Sequence, residues 1–362
     1  MLFQIMRINP NISVHKRIHH GGPFSIIHPS SDILDFSSNI SPMGTSSLVR
    51  KTIKNQLDTI QIYPDSESTQ LRKNLQHYTK IPYSQIVVGN GATEIIYNFC
   101  QAFLSNKTPV LIPIPTFGEY ESAAKLTGAK VLFFKTMNLE KDVDHFISKL
   151  PSNGCVFICN PNNPTGNLIS KKTLQMIIIS ANKKKTLVFI DECFIELVPD
   201  HDESIIKLIQ KYNNLFVLRS LTKSFALAGL RIGYGIGSKQ MISILNNIKI
   251  PWNVSGLAQQ AASTAISHSF YLDKVKKIIK KESLYLINYI SKLKGFQCTT
   301  TSTNFILIKT KMKSKILQKK LLKKKILIRD CSTIRGLNDN YIRIAVKTRK
   351  ENEKLIKALE KL

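Results

Sequence analysis

Leu215-Phe-Val-Leu-Arg-Ser-Leu-Thr-Lys-Ser-Phe-Ala-Leu-Ala-Gly-Leu-Arg-Ile-Gly233 is the stretch from which the rest of the chain is read. Its first residues, Leu215–Leu218, are apolar and β-prone and predict a buried strand. The polar run Arg219–Lys223 follows at once, at the strand's carboxyl end. Lys223 stands beside two hydroxyl residues, Ser220 and Thr222, and shortly before Arg231 and Gly233. A lysine in a basic chain is ordinarily a solvated surface group. Partial burial at a strand end, near other cations, instead lowers the pKa of an amine toward nucleophilicity. Arg231 adds a planar fork suited to a phosphate.

Working outward, short apolar runs alternate with helical patterns from about residue 85 to 240. The strand candidates are Gln85–Val88, Val110–Ile114, Val131–Phe134, Cys155–Cys159, Leu187–Ile190, Leu215–Leu218 and Ile232–Ile236. Helix candidates lie near 93–104, 118–127, 170–183, 203–212 and 239–248. Continuously apolar strands separated by helices predict an α/β fold, with a mostly parallel sheet covered on both faces. Ligands of such sheets bind at the carboxyl ends of the strands. Chemistry is therefore expected at Gly89–Thr93, Pro115–Phe117, Asn160–Gly166, Asp191-Glu192 and Arg219–Lys223. From about 268 a long helical pattern leads to strands at Phe305–Ile308, Ile326–Ile328 and Ile342–Val346, then to a terminal helix. This predicts a large domain over 45–265 and a smaller α+β domain formed by 266–362 with residues 1–44.

Three further motifs carry chemistry. Gly91-Ala92-Thr93-Glu94 follows a strand and opens a helix, where free N–H groups and the helix dipole favour an anion. A plain glycine turn is the bland alternative. Asn160-Pro-Asn-Asn-Pro-Thr-Gly166 is stiffened by two prolines and could aim the Asn163 amide at a ligand oxygen. Asp191 ends a strand, where it could serve as a metal ligand, a general base, a helix cap or the anionic partner of a pyridinium nitrogen.

The bulk numbers exclude several classes. The chain has 362 residues and 43% apolar content, enough for a sizeable core. No apolar run approaches the roughly 20 residues that span a bilayer. Met1–His20 lacks a continuous apolar region and a small-residue cleavage site, so no signal peptide, and a cytoplasmic location, are expected. The six scattered cysteines read as reduced thiols, and no metal site is expected. The net charge of +28 could mark a nucleic-acid partner. However, Lys309–Lys325 interleaves nine lysines with Ile316, Leu317, Leu321 and Leu322 and no aromatic residue. That pattern predicts an amphipathic helix with a solvated basic face rather than a base-stacking platform, leaving a nucleic-acid-binding protein as the minor alternative.

Together these motifs resemble the class I/II aminotransferase superfamily of fold-type I pyridoxal phosphate enzymes, over nearly the whole chain. The resemblance implies that Lys223 carries the cofactor as a Schiff base, Asp191 pairs with the pyridine nitrogen and Asn163 bonds the ring hydroxyl. It implies that Gly91, Ala92, Thr93, Ser220, Thr222 and Arg231 hold the cofactor phosphate and that Phe117 stacks on the ring. It also implies a homodimer in which Tyr63, in Tyr-Pro-Asp, reaches the neighbouring subunit's cofactor. Arg343 would clamp the substrate carboxylate. Two branches share these features, the histidinol-phosphate aminotransferases and the threonine-phosphate decarboxylases of cobalamin synthesis. His20-Gly21-Gly22, Leu34-Asp-Phe-Ser-Ser-Asn-Ile-Ser-Pro-Met-Gly44, Val217–Lys223 and Ile326–Cys331 are similar to the second branch. So is Phe194, where aminotransferases usually place tyrosine; Pro23 departs from it, since asparagine commonly follows His-Gly-Gly there. The implied reaction is decarboxylation of L-threonine O-3-phosphate to (R)-1-amino-2-propanol O-2-phosphate, with histidinol-phosphate transamination as the alternative. Asn39 would act with Arg343 on the carboxylate. Arg329, with His20 and Gly21, would meet the substrate phosphate.

Overall fold

The computed structural model describes residues 10–13, 15, 17, 18, 20–25, 32–199 and 203–362. A seven-stranded sheet runs in the spatial order Ile86–Gly89, Gly233–Ile236, Leu215–Ser220, Leu187–Asp191, Cys155–Cys159, Pro109–Ile114, Lys130–Lys135. Every neighbouring pair is parallel except those of Gly233–Ile236, which is antiparallel to both its neighbours. The central strands are apolar throughout because alternate side chains face two different helix layers. Val156, Ile158, Val188, Ile190 and Val217 join Leu174, Ile177 and Ala262 in one core. Cys155, Phe157, Phe189, Phe216 and Leu218 join Ile96 and Phe99 in the other. Phe99, on the helix Gly91–Phe103, packs 4.8 Å from Phe189 and 5.1 Å from Phe216, ring to ring. Burying a side chain of this size contributes roughly 1.5–3 kcal/mol. That packing fixes the helix whose first turn faces the ligand edge of the sheet.

A second, antiparallel sheet has the order Arg329–Asp330, Tyr341–Ala345, Phe305–Thr310, Phe296–Cys298. Helices Tyr271–Ile290 and Arg349–Glu360 cover it around a third core that includes Phe36, Leu286, Ile306 and Leu355. The N-terminal segment does add to this part, since Leu34–Asp35 pairs in parallel with Ile326–Leu327.

Three expectations are corrected. Residues 203–212 form a 3-10 turn, Ile206–Gln210, rather than an α-helix. The Glu192 carboxylate takes the Ile205 N–H at 2.8 Å and the Ser204 hydroxyl at 3.0 Å, and this long-range capture pins the entry to the turn. The basic amphipathic helix is Ser314–Lys323, because Lys309 still belongs to a strand; its buried stripe is Leu317 and Leu321, and Ile316 stays exposed. The run Ile326–Ile328 is not one strand: Ile326–Leu327 serves the N-terminal pair, and the chain enters the antiparallel sheet only at Arg329. The expectation about a leader peptide rests on residues 1–9 above all, which lie outside the described residues. Among the described residues, no helix is long and apolar enough to cross a membrane.

Candidate active site

The turns at the carboxyl ends of the parallel strands meet in one cleft of about 1270 Å³. Ala92, Thr93, Phe117, Asn163 and Asp191 line it from the first four turns, and Ser220, Thr222, Lys223 and Arg231 from the last. His20, Gly21 and Asn39 enter from the N-terminal segment, and Arg329 and Arg343 from the antiparallel sheet. Two expected residues are not on its wall. Gly91 lies beneath the Arg231 guanidinium. Tyr63 is 78% exposed on the outside, its ring 4.9 Å from that of Trp252.

One corner is built for an anion. Gly91 has φ +80°, a backbone that favours glycine, and a Cβ there would stand 2.5 Å from Arg231 Nη2 and displace that guanidinium. The helix that starts at Gly91 presents its first N–H groups beside that guanidinium. Ser220 caps the short helix Leu221–Ser224 by accepting from the Thr222 N–H at 3.2 Å, which holds both hydroxyl residues at the same corner.

Lys223 stands on the cleft wall in that short helix. Burial lowers its amine to about 8, and the cations Arg343 and Arg231 push the same way. Behind it lies a buried polar cluster. Arg219 Nε donates to Glu192 at 2.8 Å, and Ser224, next to the lysine, donates to Glu196 Oε2 at 2.5 Å. Asp191 is 5% exposed and takes two donors, the Cys193 N–H at 2.8 Å and the Tyr120 hydroxyl at 2.6 Å. Burial nonetheless leaves its pKa raised.

The wall of the cleft contributed by the antiparallel sheet is organised around Arg343. Its Nη1 donates to Asn163 Oδ1, which orients the amide, and its Nη2 donates to the Ser37 carbonyl at 2.9 Å. Its Nε and the Asn39 Oδ1 are buried with no hydrogen-bond partner among the described residues. Burial, reinforced by the nearby positive Arg329, pushes Arg343 down to about 10. Arg329 is its register partner across the antiparallel pair. The two N-terminal motifs are stitched together here: the Gly22 N–H donates to Ser37 Oγ at 2.8 Å, and Ser37 Oγ donates to Asp35 Oδ1 at 2.6 Å. His20 is only partly available, because its Nε2 is 2.5 Å from Glu119 Oε1, and Tyr97 donates to the other oxygen of Glu119 at 2.6 Å. Phe194 offers no polar group and packs edge-on against Phe305, 5.0 Å between centroids.

Glu119, Tyr120, Cys193 and Glu196 were missed as site residues from the sequence. The first two lie in Pro115-Thr-Phe-Gly-Glu-Tyr120, directly after a strand end, and that position is the available signal.

A lysine, a buried aspartate and an anion corner at the carboxyl edge of this sheet define a fold-type I pyridoxal phosphate enzyme. The chain belongs to the aminotransferase class I and II family, whose model matches residues 31–359; members of that family use pyridoxal 5'-phosphate. It is 36% identical over 352 residues to a Caldanaerobacter subterraneus protein named "Putative threonine-phosphate decarboxylase", covering 96% of this chain and 94% of that one. It is 33% identical over 338 residues to the histidinol-phosphate aminotransferase of Methanococcus aeolicus, covering 91% and 90%. The crystal structure of L-threonine-O-3-phosphate decarboxylase from Porphyromonas gingivalis matches with a TM-score of 0.83 at 28% identity, over 91% of this chain and 99% of that one. The residues present fit the cofactor. Gly91 opens a helix N-terminus beside the Arg231 guanidinium, a setting that suits its phosphate, and Asp191, Lys223 and Asn163 bring to one cleft an acid, an amine and an amide of the kinds its ring nitrogen, aldehyde and hydroxyl would need.

Proposed function

We propose that the protein decarboxylates L-threonine O-3-phosphate, releasing carbon dioxide and leaving 1-amino-2-propanol O-2-phosphate for cobalamin synthesis. The observation that carries this reading is the pairing of Arg329 with Arg343. Like charges directly opposite on an antiparallel pair are destabilising. Two arginines in register on one wall of the cleft suit a ligand with two anions close together. Threonine phosphate has its carboxylate and its phosphoryl oxygen on adjacent carbons. The stitching of His20-Gly21-Gly22 to the Asp35–Gly44 stretch beside Arg343 supports the same branch.

In this reading, Gly91, Ala92, Thr93, Ser220, Thr222 and Arg231 hold the cofactor phosphate, Phe117 covers the ring, and Asn163 donates to the ring hydroxyl. Asp191 keeps the ring nitrogen protonated. When bound, pyridoxal phosphate supplies an electron-withdrawing ring that accepts the electron pair released at the substrate α-carbon. Arg343 and Asn39 orient the carboxylate; Arg329 holds the substrate phosphate, with Gly21 and His20 closing over it. Lys223, with its amine near 8, would hold the cofactor through its aldehyde and is the group placed to return a proton to the substrate α-carbon. The apolar Phe194 and Phe305 help to exclude water from that side.

Residues 45–265 act as the cofactor-binding domain, and 1–44 with 266–362 as the smaller domain. The exposed apolar side chains of Ile60, Ile62, Tyr63, Ile250 and Trp252 form the face on which a second copy packs, bringing Tyr63 to the partner's cofactor. A second reading, histidinol-phosphate transamination, is favoured by the names of most of the related proteins compared. Its second substrate pair, 2-oxoglutarate and glutamate, would present two carboxylates to the same arginines. Mass spectrometry of the product of threonine phosphate separates the two: an amine lacking the carboxyl group supports decarboxylation, and a keto acid refutes it.

A further inference from the structure

Tyr120 lies wholly inside the protein, on the helix Glu119–Leu126. Its ring is stacked on Phe157 at 5.4 Å and 16°, and stands edge-on to Phe117 at 5.6 Å and 76°. Its hydroxyl donates to Asp191 Oδ2 at 2.6 Å, while the Cys193 N–H holds Oδ1 at 2.8 Å. Burial, and then the charge of Asp191, push the phenol well above its ordinary range, so it remains a donor at every working pH. A carboxylate this deeply buried is costly to keep ionised unless donors compensate. The aromatic packing leaves the phenol little room to turn away.

We infer that Tyr120 is a positioning residue that fixes the Asp191 carboxylate and keeps it ionised toward the cofactor ring nitrogen. This rests on the role proposed for Asp191, which the decarboxylase and aminotransferase readings share. Tyr120 touches neither substrate nor reacting atoms; it acts through Asp191. With the donor removed, the ion pair between the carboxylate and the protonated ring is weakened. Cofactor affinity and turnover therefore fall together, while the affinity for substrate stays as it was.

The test is titration of the apoprotein with pyridoxal phosphate, followed by fluorescence quenching, for wild type, Tyr120→Phe, Asp191→Asn and the double variant. Phenylalanine preserves the stack on Phe157, so a packing role alone would leave the dissociation constant unmoved. The expected result is a rise of about tenfold or more in Tyr120→Phe, as for loss of a charge-assisted hydrogen bond. In the loaded enzyme kcat should fall with an unchanged substrate KM. Tyr120→Phe should add nothing once Asp191 is asparagine. If Asp191→Asn weakens binding and Tyr120→Phe does not, the inference fails while the Asp191 assignment stands. If Asp191→Asn also leaves binding unchanged, the ring-nitrogen assignment fails first. Should the phenylalanine variant not fold, 3-fluorotyrosine at 120, a stronger donor, should tighten binding; looser or equal binding would overturn the inference.

Discussion

Arg329→Ala removes from the cleft the guanidinium whose residue faces Arg343, without touching the hydrophobic core. Arg329 begins the strand pair with Tyr341–Ala345 and lies opposite Arg343, so the alanine keeps the backbone pairing. A hydrogen bond to a charged group contributes about 1.5–3 kcal/mol, which at about 1.4 kcal/mol per tenfold is a loss of roughly 10- to 150-fold in kcat/KM toward threonine phosphate. The change also relieves the repulsion that helps depress Arg343. Arg343 should therefore hold a carboxylate at least as well as before, and L-threonine without its phosphate should lose little. The assay is release of carbon dioxide from each substrate at matched, subsaturating concentration. Inhibition by inorganic phosphate should weaken in parallel. Equal losses for the two substrates would refute the assignment of Arg329 to the phosphate.

Other outcomes follow from the same geometry. Because burial lowers Lys223 to about 8, its neutral, reactive fraction grows as pH rises through that value. Reconstitution of apoprotein with pyridoxal phosphate should speed up from pH 6 and level off above about pH 8 to 9, and borohydride should fix the cofactor to the Lys223 peptide. Continued acceleration to pH 10 or beyond would contradict the buried-amine reading. Gly91→Ala drives a Cβ to within 2.5 Å of Arg231 Nη2 at a backbone φ of +80°, so cofactor affinity by equilibrium dialysis should fall about tenfold or more. Unchanged affinity would remove Gly91 from the phosphate corner. Tyr63→Phe should leave a dimer in sedimentation and loosen the cofactor several-fold, whereas a fully active monomer would overturn the shared-site proposal.

The parallel sheet was legible because its strands are apolar on both faces, and that pattern alone gathers the turns after each strand at one edge. Asp191, Asn163 and Lys223, far apart in sequence, were expected together for that reason and do line one cleft. What escaped the sequence was set by long-range partners. Glu192 captures Ser204 and Ile205, and so the segment after it closes into a 3-10 turn despite a helical pattern. The break at Leu327, which sets Arg329 opposite Arg343, arises because the N-terminal strand competes for Ile326–Leu327, and nothing local announces it. Tyr120 and Glu119 look like ordinary members of a covering helix until Asp191 and His20 are seen to be bonded to them. The Nε2 of His20 meets Glu119 Oε1, a contact between residues 99 apart that no local pattern announces.

The most direct test gives the purified, pyridoxal phosphate-loaded protein two substrates in parallel: carboxyl-labelled L-threonine O-3-phosphate, followed by trapped carbon dioxide, and histidinol phosphate with 2-oxoglutarate, followed by glutamate. The account predicts label released in step with the formation of 1-amino-2-propanol phosphate, at a rate well above that of glutamate formation. Glutamate formed from histidinol phosphate with no label released from threonine phosphate would contradict it.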